Sequence, residues 1–456
     1  MISSPPRTVG TTLRPASPRD AAAVLADVLV PLVAEGLIIR RPRTLNLLDR
    51  WDAQRRAVRR LQRLHDRYGP GPVPLGLPGR SMAIVVSADH ARSILHRTPH
   101  GFAADNREKR AALSRFEPHG VLVSSGPQRE ERRRYNEEIL ETGRAVHRLG
   151  EAFVATVDAE AARIIDRALG AGALTWRVFA IGWWRIVRRI VLGDAAGEDV
   201  QITDDLARLR ADANWGPFKP HRDALRERFL ARLRSYVARA QPGSLAAEVA
   251  AISAAPGVDP VQQIPQWLFA FDGAGMATFR TLALLDAHPQ VKDRLRTDLA
   301  AEVDAPSHPM PLLRACVLES LRLWPTTPAI LRDTMTETVW ETGTLPAGTA
   351  LVIFVPYFQR DDRTVDVAHR FSPEGWLGEE SLESAFMAFS LGPAQCPGRN
   401  LVLLVTSALL ARLLTTAELT QCQRRPLRGD RPLPATLSPF RLAFATRRTE
   451  PPGRRL

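Results

Sequence analysis

Cysteine is scarce in this chain of 456 residues, which contains only Cys316, Cys396 and Cys422. So few cysteines, in an odd number, exclude the disulfide framework that is typical of small secreted proteins. Disulfides persist mainly in oxidising compartments, whereas free thiols are typical of proteins in a reducing one. The cysteine count therefore predicts a cytoplasmic protein. Its stability would come from an apolar core, since 45% of the residues are hydrophobic.

Long uninterrupted apolar runs are also missing. A transmembrane helix needs about 20 consecutive apolar residues, and the most apolar early run, residues 24–39, is interrupted by Asp27, Pro31 and Glu35. The charge order of a secretory signal is absent. We expect an amphipathic surface helix at 24–39 and no transmembrane anchor. The alternative for this run is peripheral contact with a membrane surface.

Motifs for binding nucleic acids or dinucleotides are absent as well. The net charge is +13, but there is no zinc-ligand spacing, aromatic-basic RNA motif or basic tail, so we expect no nucleic-acid partner. The cysteines are few and no dinucleotide fingerprint follows a strand, so we expect no fused flavin or iron–sulfur domain. Arginines spread along helical patterns favour a solvated basic surface. Binding of an acidic protein partner or of an anionic cofactor would be an additional, more specific use of this positive charge.

Helical periodicity dominates the sequence that is present. It predicts a fold that is mainly α with small β-sheets, in which residues 1–45 are an N-terminal extension and residues 46–456 a single domain. Alternating apolar residues indicate short strands and hairpins. These strand segments are a hairpin at 73–87, strands near 330–334, 338–342 and 349–355, and a terminal hairpin at 435–448.

A cysteine in a tight loop is the most informative local feature. Cys396 follows FSLGPAQ and precedes Pro397 and the apolar run 400–414, which predicts a buried helix. Unpaired backbone N–H groups and the positive end of a helix dipole converge at such a position. This setting favours a thiolate, which is a nucleophile or a metal ligand. The alternative is a small buried hydrophobic residue.

Further motifs precede this cysteine in a fixed order. Glu319 and Arg322 form an E-x-x-R pair on one face of a predicted helix, a pattern that alone is common by chance. Cys396 lies 77 residues after Glu319, within F-x-x-G-x-x-x-C-x-G. FSPEGW at 371–376 and LLDAHP at 284–289 complete the set. Over residues 60–447 the chain resembles the cytochrome P450 superfamily, the haem-thiolate monooxygenases.

The resemblance implies roles for the residues of the signature. Cys396 would be the proximal ligand of the iron in haem b (iron protoporphyrin IX). Phe389 would pack beside the ligand, and Gly392 and Gly398 would let the backbone approach the porphyrin closely. Haem carries two propionates, and the resemblance points to three cations for them, Arg129, Arg133 and Arg332. For Arg129 and Arg133, four residues apart on one helix face, the alternative is a solvated basic face.

Two positions near the signature depart from the family pattern. Ala394 stands where the family usually has Arg or His, so one propionate donor is lost and the other cations are expected to compensate. Gly375 stands where a Pro-Glu-Arg segment supplies an arginine to the Glu–Arg pair. An uncompensated buried charge is costly, so the pair is expected to stand alone or to gain a substitute such as Arg370.

The helix that binds oxygen in this family also departs from the pattern Ala-Gly-x-acid-Thr. Counting back from His288 places the acid on Asp272 and Gly273 at the threonine position. Ala270, Asp272 and Gly273 are then the candidate catalytic residues. A literal match at 274–278 gives another register that loses both the acid and the spacing. For Asp272 the alternative is an N-cap or a surface acid.

The implied activity is that of a cytochrome P450 monooxygenase. It would use O2 and electrons from a separate ferredoxin or flavodoxin-type protein to hydroxylate, cyclise or couple a medium-sized, mostly apolar organic molecule in secondary metabolism. A basic surface would steer an acidic donor; its expected arginines are Arg129, Arg132, Arg134 and Arg399. Without the threonine hydroxyl, protons need another route. Substrate-assisted chemistry, a peroxide-driven peroxygenase and a haem protein that binds a ligand without turnover remain open.

Overall fold

Helices account for most of the fold in the computed structural model, which describes residues 12–301, 310–378 and 386–449. Many begin at a proline, whose missing N–H costs nothing in a first helical turn. The α-helices are α1 Pro18–Val24, α2 Val30–Ala34, α3 Pro42–Arg50, α4 Ala53–Tyr68, α5 Ala88–His96, α6 Arg107–Leu113, α7 Gly126–Ile139, α8 Gly150–Ala171, α9 Trp176–Leu192, α10 Val200–Ala213, α11 Asp223–Arg239, α12 Leu245–Ala251, α13 Ile264–Ala287, α14 Pro289–Ala301, α15 Pro311–Leu323, α16 Val355–Arg360 and α17 Arg399–Thr416.

Short strands form the small β portion. The strands are β1 Val73–Pro74, β2 Met82–Ile84, β3 Phe102–Ala103, β4 Leu174–Thr175, β5 Ala329–Thr334, β6 Thr338–Trp340, β7 Gly343–Leu345, β8 Ala350–Phe354, β9 Ala417–Gln421 and β10 Ala443–Arg448. Within the described ranges they form a five-stranded sheet in the order β1-β2-β8-β5-β3, a three-stranded sheet β4-β10-β9 and a pair β6-β7. The β2–β8 pairing is parallel. The prediction of a mainly α fold with small sheets is confirmed.

The end of the chain differs from the hairpin that its alternating pattern predicts. β10 pairs with β9 on one side and with β4 on the other, both antiparallel. The first half of the alternating segment instead ends in a 3-10 turn at Pro439–Arg441. The prediction of a local hairpin was wrong, because alternation shows that a strand is half-buried but does not identify its partner.

The N-terminal segment packs on the same body as the rest of the chain. A π-helical turn at 25–29 joins α1 and α2 into one helix, whose inner face buries Val24, Val28 and Leu32 beside the five-stranded sheet. Its outer face exposes Val30 by 59% and Val33 by 51%. The helix is therefore amphipathic, as the sequence predicts. The boundary at residue 45 stays a prediction, and residues 1–11 lie outside the described residues.

Two helices of the central core are long and apolar enough to cross a membrane by length and composition alone. They are Val261–Ala287, which includes α13, and α17, and most of each apolar segment is buried inside the protein. Burial on all sides explains why these helices are apolar all round. Together with α8, α9 and α15 they form the larger hydrophobic core, and α17 begins three residues after Cys396.

Candidate active site

The loop before α17 holds Cys396 in a network of backbone hydrogen bonds. The Cys396 N–H donates to the Phe389 carbonyl at 2.8 Å, and the N–H of Gly398 donates to the cysteine sulfur. Burial raises the pKa of the thiol, whereas the Gly398 N–H and the charges of Arg133 and Arg399 oppose that rise. Phe389 lies beside the loop with the Arg399 guanidinium 5.9 Å from its ring centroid. The loop thus presents a sulfur with donors already directed at it.

Gly392 has a structural reason to be glycine. Its φ is +65°, and a Cβ atom there would lie 2.7 Å from the Cα of His96 and 2.9 Å from the carbonyl oxygen of Leu95. The residue therefore lets the loop pack directly on the end of α5. At Gly398 a Cβ would meet only Leu140, at 3.8 Å. Its backbone N–H, rather than crowding, connects Gly398 to the site.

Glu319 and Arg322 form a buried, bidentate ion pair on α15. The two hydrogen bonds are both 2.7 Å, and Glu319 is fully buried. Glu319 also accepts from the Ser372 N–H at 2.8 Å and from the Trp376 indole at 2.9 Å. These two donors stand in for the arginine that is missing at Gly375.

Arg370 is not the side-chain substitute suggested from the sequence, so that expectation was wrong. Its carbonyl accepts from Arg322 at 2.8 Å, while its own guanidinium donates to the Asp366 carbonyl. The carbonyls of Gln359 and Val367 accept from the same Arg322 guanidinium at 3.0 Å. Arg322 is therefore satisfied by the backbone, which reduces the cost of burying its charge.

Three cations lie together near the cysteine loop and form a largely buried cationic group. Arg332 on β5 and Arg129 on α7 are buried, and Lys109 on α6 is half-buried. The charges of Arg129 and Arg332 lower the pKa of Lys109, and the charge of Arg129 lowers the pKa of Arg332. Arg332 donates to Thr98 at 3.1 Å and to Ser390, in the loop, at 3.2 Å. Among the described residues none of the three forms an ion pair with a carboxylate, and the Nε of Arg129 has no partner.

Burial is the largest cause of the pKa shifts in this group. Burial lowers the pKa of Lys109 well below its usual value, and the charges of Arg332 and Arg129 lower it further. Burial likewise lowers the pKa of Arg332 to about 10. Burying charges without a counter-ion raises the free energy of the folded protein. This group of cations therefore favours the binding of an anion.

Arg133 differs from these three cations in its hydrogen-bond partners, although its charge lowers the pKa of Arg129. Its Nε donates to Glu137 at 2.6 Å and its Nη1 to the carbonyl of Gln395 at 2.5 Å. The structure therefore places Arg129 and Arg133 on one face of α7 but gives them different surroundings. Arg133 donates a hydrogen bond to the backbone of Gln395, the residue before the cysteine, whereas Arg129 belongs to the buried cationic group.

Asp272 lies in the middle of α13, so it is neither an N-cap nor a free surface acid. Its carboxylate is 2.6 Å from Nη2 of Arg210 on α10, and the two side chains are 18% and 2% exposed. The Arg210 guanidinium also stacks 4.8 Å from the ring centroid of Phe269. Ala270 and Gly273, two residues before and one residue after Asp272, are half-buried and, being three apart, lie on one face of the helix.

The glycines of α13 have different neighbours. A Cβ on Gly275 would lie 2.6 Å from the indole nitrogen of Trp183, whereas a Cβ on Gly273 would lie 2.9 Å from Oγ1 of Thr326. The hydroxyl of Thr278, the threonine of the other register, is buried and donates to the Ala274 carbonyl at 2.9 Å. Close packing thus explains Gly275, and the Thr278 hydroxyl is used within the helix.

Sequence comparisons show which known proteins this chain resembles. The family model described as Cytochrome P450 matches residues 270–438. The chain is 37% identical over 145 residues to the cytochrome P450 monooxygenase apf7 of Gibberella fujikuroi, covering 28% of this chain and 27% of that protein. It is 31% identical over 170 residues to cyclooctat-9-en-7-ol 5-monooxygenase of Streptomyces melanosporofaciens, covering 34% and 37%. The matches span about a quarter to a third of these relatives' lengths.

Solved structures extend the likeness to nearly the whole fold. Retinoic acid bound cyanobacterial CYP120A1 superposes with a TM-score of 0.69 at 15% identity, covering 85% of this chain and 94% of that one. The cytochrome P450DA heme domain gives 0.69 at 14% identity, covering 87% and 94%.

The chain belongs to the cytochrome P450 superfamily.

Membership of the cytochrome P450 superfamily implies a haem cofactor, and the residues present fit one. The iron would be held by the sulfur of Cys396, which has the Gly398 N–H as a donor. The propionates would be held by the buried cationic group, whose Arg129 Nε lacks a partner in the part of the chain that the structure describes. Lys109 would supply a cation in place of the one that is missing at Ala394. A soft anionic ligand and a buried cationic group are the two features that haem requires.

Sequence reasoning missed Lys109 and Trp376 in this cytochrome P450. Lysine is rare in this arginine-rich chain and occurs only at positions 109, 219 and 292. This rarity could have marked Lys109 as a candidate for a specific role. Trp376 immediately follows Gly375, where the arginine is missing, so its indole was the nearest donor in sequence. Arg129 and Arg132, expected on a basic surface, are both buried; Arg132 donates to Ser124 at 2.5 Å. Arg134 is exposed as expected.

Proposed function

We propose that this protein is a haem b monooxygenase that takes electrons from a separate ferredoxin or flavodoxin-type protein and oxidises a medium-sized, mostly apolar organic molecule. The observation that carries the proposal is the sulfur of Cys396 beside a donor N–H, together with a group of cations that form no ion pair with a carboxylate among the residues that the structure describes. The three cysteines of the chain are free, which supports a reducing, cytoplasmic setting. A place in secondary metabolism rests on the resemblance to soluble bacterial members alone.

Each part of the site has a task in this proposal. When bound, haem supplies oxygen activation, and a thiolate ligand favours cleavage of the O–O bond. The Gly398 N–H and the brace of Arg133 on Gln395 keep the sulfur in position and anionic. Arg129, Arg332 and Lys109 hold the propionates. Trp376 and Ser372 fix Glu319, which fixes Arg322 against three carbonyls and so holds the chain that leads to the cysteine loop.

Asp272 and Arg210 are the polar pair nearest the candidate catalytic residues. The Arg210 guanidinium lies 2.6 Å from the Asp272 carboxylate. It also connects α13 to α10, so movement of α10 changes the environment of the acid. Asp272 is positioned to accept and release protons on α13, next to Ala270 and Gly273.

The substrate space suggested by these elements is apolar with a few polar groups. Phe116 and Phe269 pack edge to face at 5.7 Å, and Arg210 covers the second ring. Aromatic walls with few convergent polar groups are typical of pockets for organic molecules. The Streptomyces relative, named as a 5-monooxygenase of cyclooctat-9-en-7-ol, supports monooxygenation of such a molecule.

The proposal is tested by the spectrum of the reduced protein with carbon monoxide. We expect the red-shifted band of a thiolate-bound ferrous haem in the wild type, and its loss in Cys396→Ser. Cys422→Ser is the matched control, because that cysteine is exposed and distant in sequence. A wild type without this band, or a Cys396→Ser variant that retains it, would contradict the proposed function.

Gly273 favours a second candidate, a peroxide-driven peroxygenase. A glycine on α13 offers no side-chain hydroxyl for the protons that dioxygen needs. Hydrogen peroxide already carries two protons and two electrons, so it would replace both dioxygen and the electron donor. Turnover with peroxide alone, and none with a surrogate reductase under air, would establish this candidate. Binding of ligands without turnover under either condition would leave a haem protein that only binds a ligand.

A further inference from the structure

The space beside Gly273 is filled by a hydroxyl from another part of the chain. Thr326 lies in the turn between α15 and β5, and its Oγ1 would be 2.9 Å from a Cβ atom on Gly273. The Cβ of Thr326 would be 3.3 Å from the same Cβ atom on Gly273. The Thr326 hydroxyl therefore occupies the place of the side chain that Gly273 lacks. Under the register that puts Gly273 at the family's threonine position, a hydroxyl is present there but comes from a different segment.

A small polar cavity lies on the other side of Thr326. Its walls combine Met276 and Arg280 of α13 with Thr326 and with Glu35, Arg40 and Gln54 from the N-terminal segment and α4. The Oε1 of Gln54 is buried and has no hydrogen-bond partner among the residues that the structure describes. Internal waters in proteins occupy polar cavities of this kind and bond to otherwise unsatisfied groups. The cavity is therefore a site for a water next to Thr326.

Glu35 is the acid of this cavity. Its carboxylate lies 3.5 Å from Nη1 of Arg40, and Nη2 of Arg40 donates to the Thr326 carbonyl at 2.6 Å. Arg40 thus ties the segment that carries the acid to the turn that carries the hydroxyl. Burial raises the pKa of Glu35, and the charges of Arg40 and Arg280 oppose the rise. A carboxyl in this setting exchanges its proton closer to neutral pH than an exposed one.

A second cavity connects Glu35 toward the surface. It shares Glu35, Gln54 and Thr436 with the first cavity and extends to Asp27. The side chain of Asp27 is 23% exposed and pairs with Arg60 at 2.9 Å. The acid is therefore flanked by Thr326 on the inner side and by a partly solvated carboxylate on the outer side.

We propose that Glu35, an internal water and the Thr326 hydroxyl form a proton path to the space beside Gly273. This inference rests on the proposed monooxygenase function. Each oxygen atom inserted consumes one O2, two electrons from the donor protein and two protons, and one water is released. Thr326 Oγ1 gives its proton to dioxygen as it is reduced and takes another from the water. Glu35 reprotonates the water and regains its proton from solvent through the second cavity.

The test is the rate at which the haem-loaded protein consumes NADPH in air with a surrogate ferredoxin and its reductase, without added organic substrate. We expect Thr326→Val and Glu35→Gln each to slow O2-dependent consumption by about tenfold or more, because general acids contribute at least that much. Thr326→Ser should restore the rate. Thr327→Val is the matched control, since its neighbouring hydroxyl is exposed. The carbon monoxide band and the rate of the first reduction should not change in any variant.

A second readout does not depend on turnover. The infrared spectrum of the haem-loaded wild type should contain a carbonyl band from a protonated carboxyl that is absent in Glu35→Gln and shifts in D2O. Wild-type consumption rates in both Thr326→Val and Glu35→Gln, or an infrared band unchanged in Glu35→Gln, would overturn the proton path while leaving the proposed function intact. A wild type that lacks the thiolate band or consumes no NADPH would overturn the proposed function, and the path with it.

Discussion

Lys109 is a charged residue in a place that disfavours its charge. Its side chain is half-buried on α6, and its ammonium group donates to the carbonyls of Ala104 at 2.7 Å and Leu331 at 3.1 Å. Its neighbours Arg129 and Arg332 repel it. Three neighbouring cations that form no ion pair with a carboxylate in the described part of the chain destabilise the protein on their own and stabilise it when an anion binds. The same residues therefore favour an occupied site.

Replacing Lys109 with methionine should weaken haem retention. Methionine keeps the length of the side chain and removes one charge from the propionate site, so we expect haem transfer to apomyoglobin to accelerate by about tenfold, the effect of losing one charge-assisted hydrogen bond. The matched control is Arg110→Met, which removes one charge from a side chain that is 57% exposed and pairs with Asp105. Equal transfer rates in both variants would argue against Lys109 as a propionate ligand.

Glu117 should make stability depend on pH. Burial raises its pKa well above the usual value, and the charge of Arg210 opposes the rise. The amide of Gln266, oriented with its nitrogen toward the carboxyl, donates to both oxygens at 2.7 and 2.6 Å. The folded state then binds a proton that the unfolded state releases, so stability falls as the pH rises from 4.5 through the raised pKa.

Glu117→Gln removes this titration. Relative to the variant, we expect the urea midpoint of the wild type to decline between pH 5 and pH 8. Glu130→Gln, at an exposed position of α7, should follow the wild type across the same range. If the urea midpoints of the wild type and Glu117→Gln changed in parallel with pH, the Glu117 carboxyl would not be the group whose titration lowers stability.

At the scale of elements, the packing of α13 depends on the side chains that lie against its glycines. The Trp183 indole donates to the Phe271 carbonyl at 2.9 Å and occupies the space above Gly275. An Ala at 275 would force the indole away and overpack the core, which typically costs about 1–3 kcal/mol. We expect Gly275→Ala to lower the thermal midpoint by several degrees.

Gly170 provides the matched control for this substitution. It lies near the end of α8, is exposed, and a Cβ there would meet nothing within 4 Å. Ala is favoured over Gly inside a helix by up to about 1 kcal/mol, so Gly170→Ala should leave the midpoint unchanged or raise it. A drop of the same size at both positions would assign the effect to helix propensity rather than to Trp183.

The elements that could be predicted from sequence are those set by local spacing. The buried run after Cys396, the Glu319–Arg322 pair and the strand at 350–354 follow from residues a few positions apart. The partners that complete the site, such as Arg210 for Asp272, are separated by 62 residues. Thr326 beside Gly273 and Trp376 on Glu319 depend likewise on how the helices pack. No local pattern encodes such contacts, which explains why the tail strand was given the wrong partner.

For the whole molecule, the net charge of +13 matters for its electron donor. Arg133 on α7 contacts the carbonyl of Gln395, so α7 lies against the cysteine loop, and Arg134 next to it is exposed. An acidic ferredoxin would be attracted to this side of the protein.

Arg134→Glu should therefore slow reduction by an acidic ferredoxin. We expect a decrease of about tenfold at low ionic strength, measured by stopped flow, that disappears at high salt because long-range charge interactions are screened. Arg19→Glu changes the charge equally at an exposed position of α1 and should have little effect. Equal slowing by both variants would mean that net charge, not a docking surface, governs the rate.

The attachment of the N-terminal segment has a practical consequence for anyone who shortens this protein. The side chain of Asn214, just after α10, accepts hydrogen bonds from the backbone N–H groups of Ile38 and Ile39 and donates to the Ile39 carbonyl at 2.7 Å. Arg210 donates to the Ile38 carbonyl at 2.8 Å. A truncation at residue 45 would cut these four tethers at once. The shortened enzyme would then report the behaviour of a loosened α10 rather than of the native molecule.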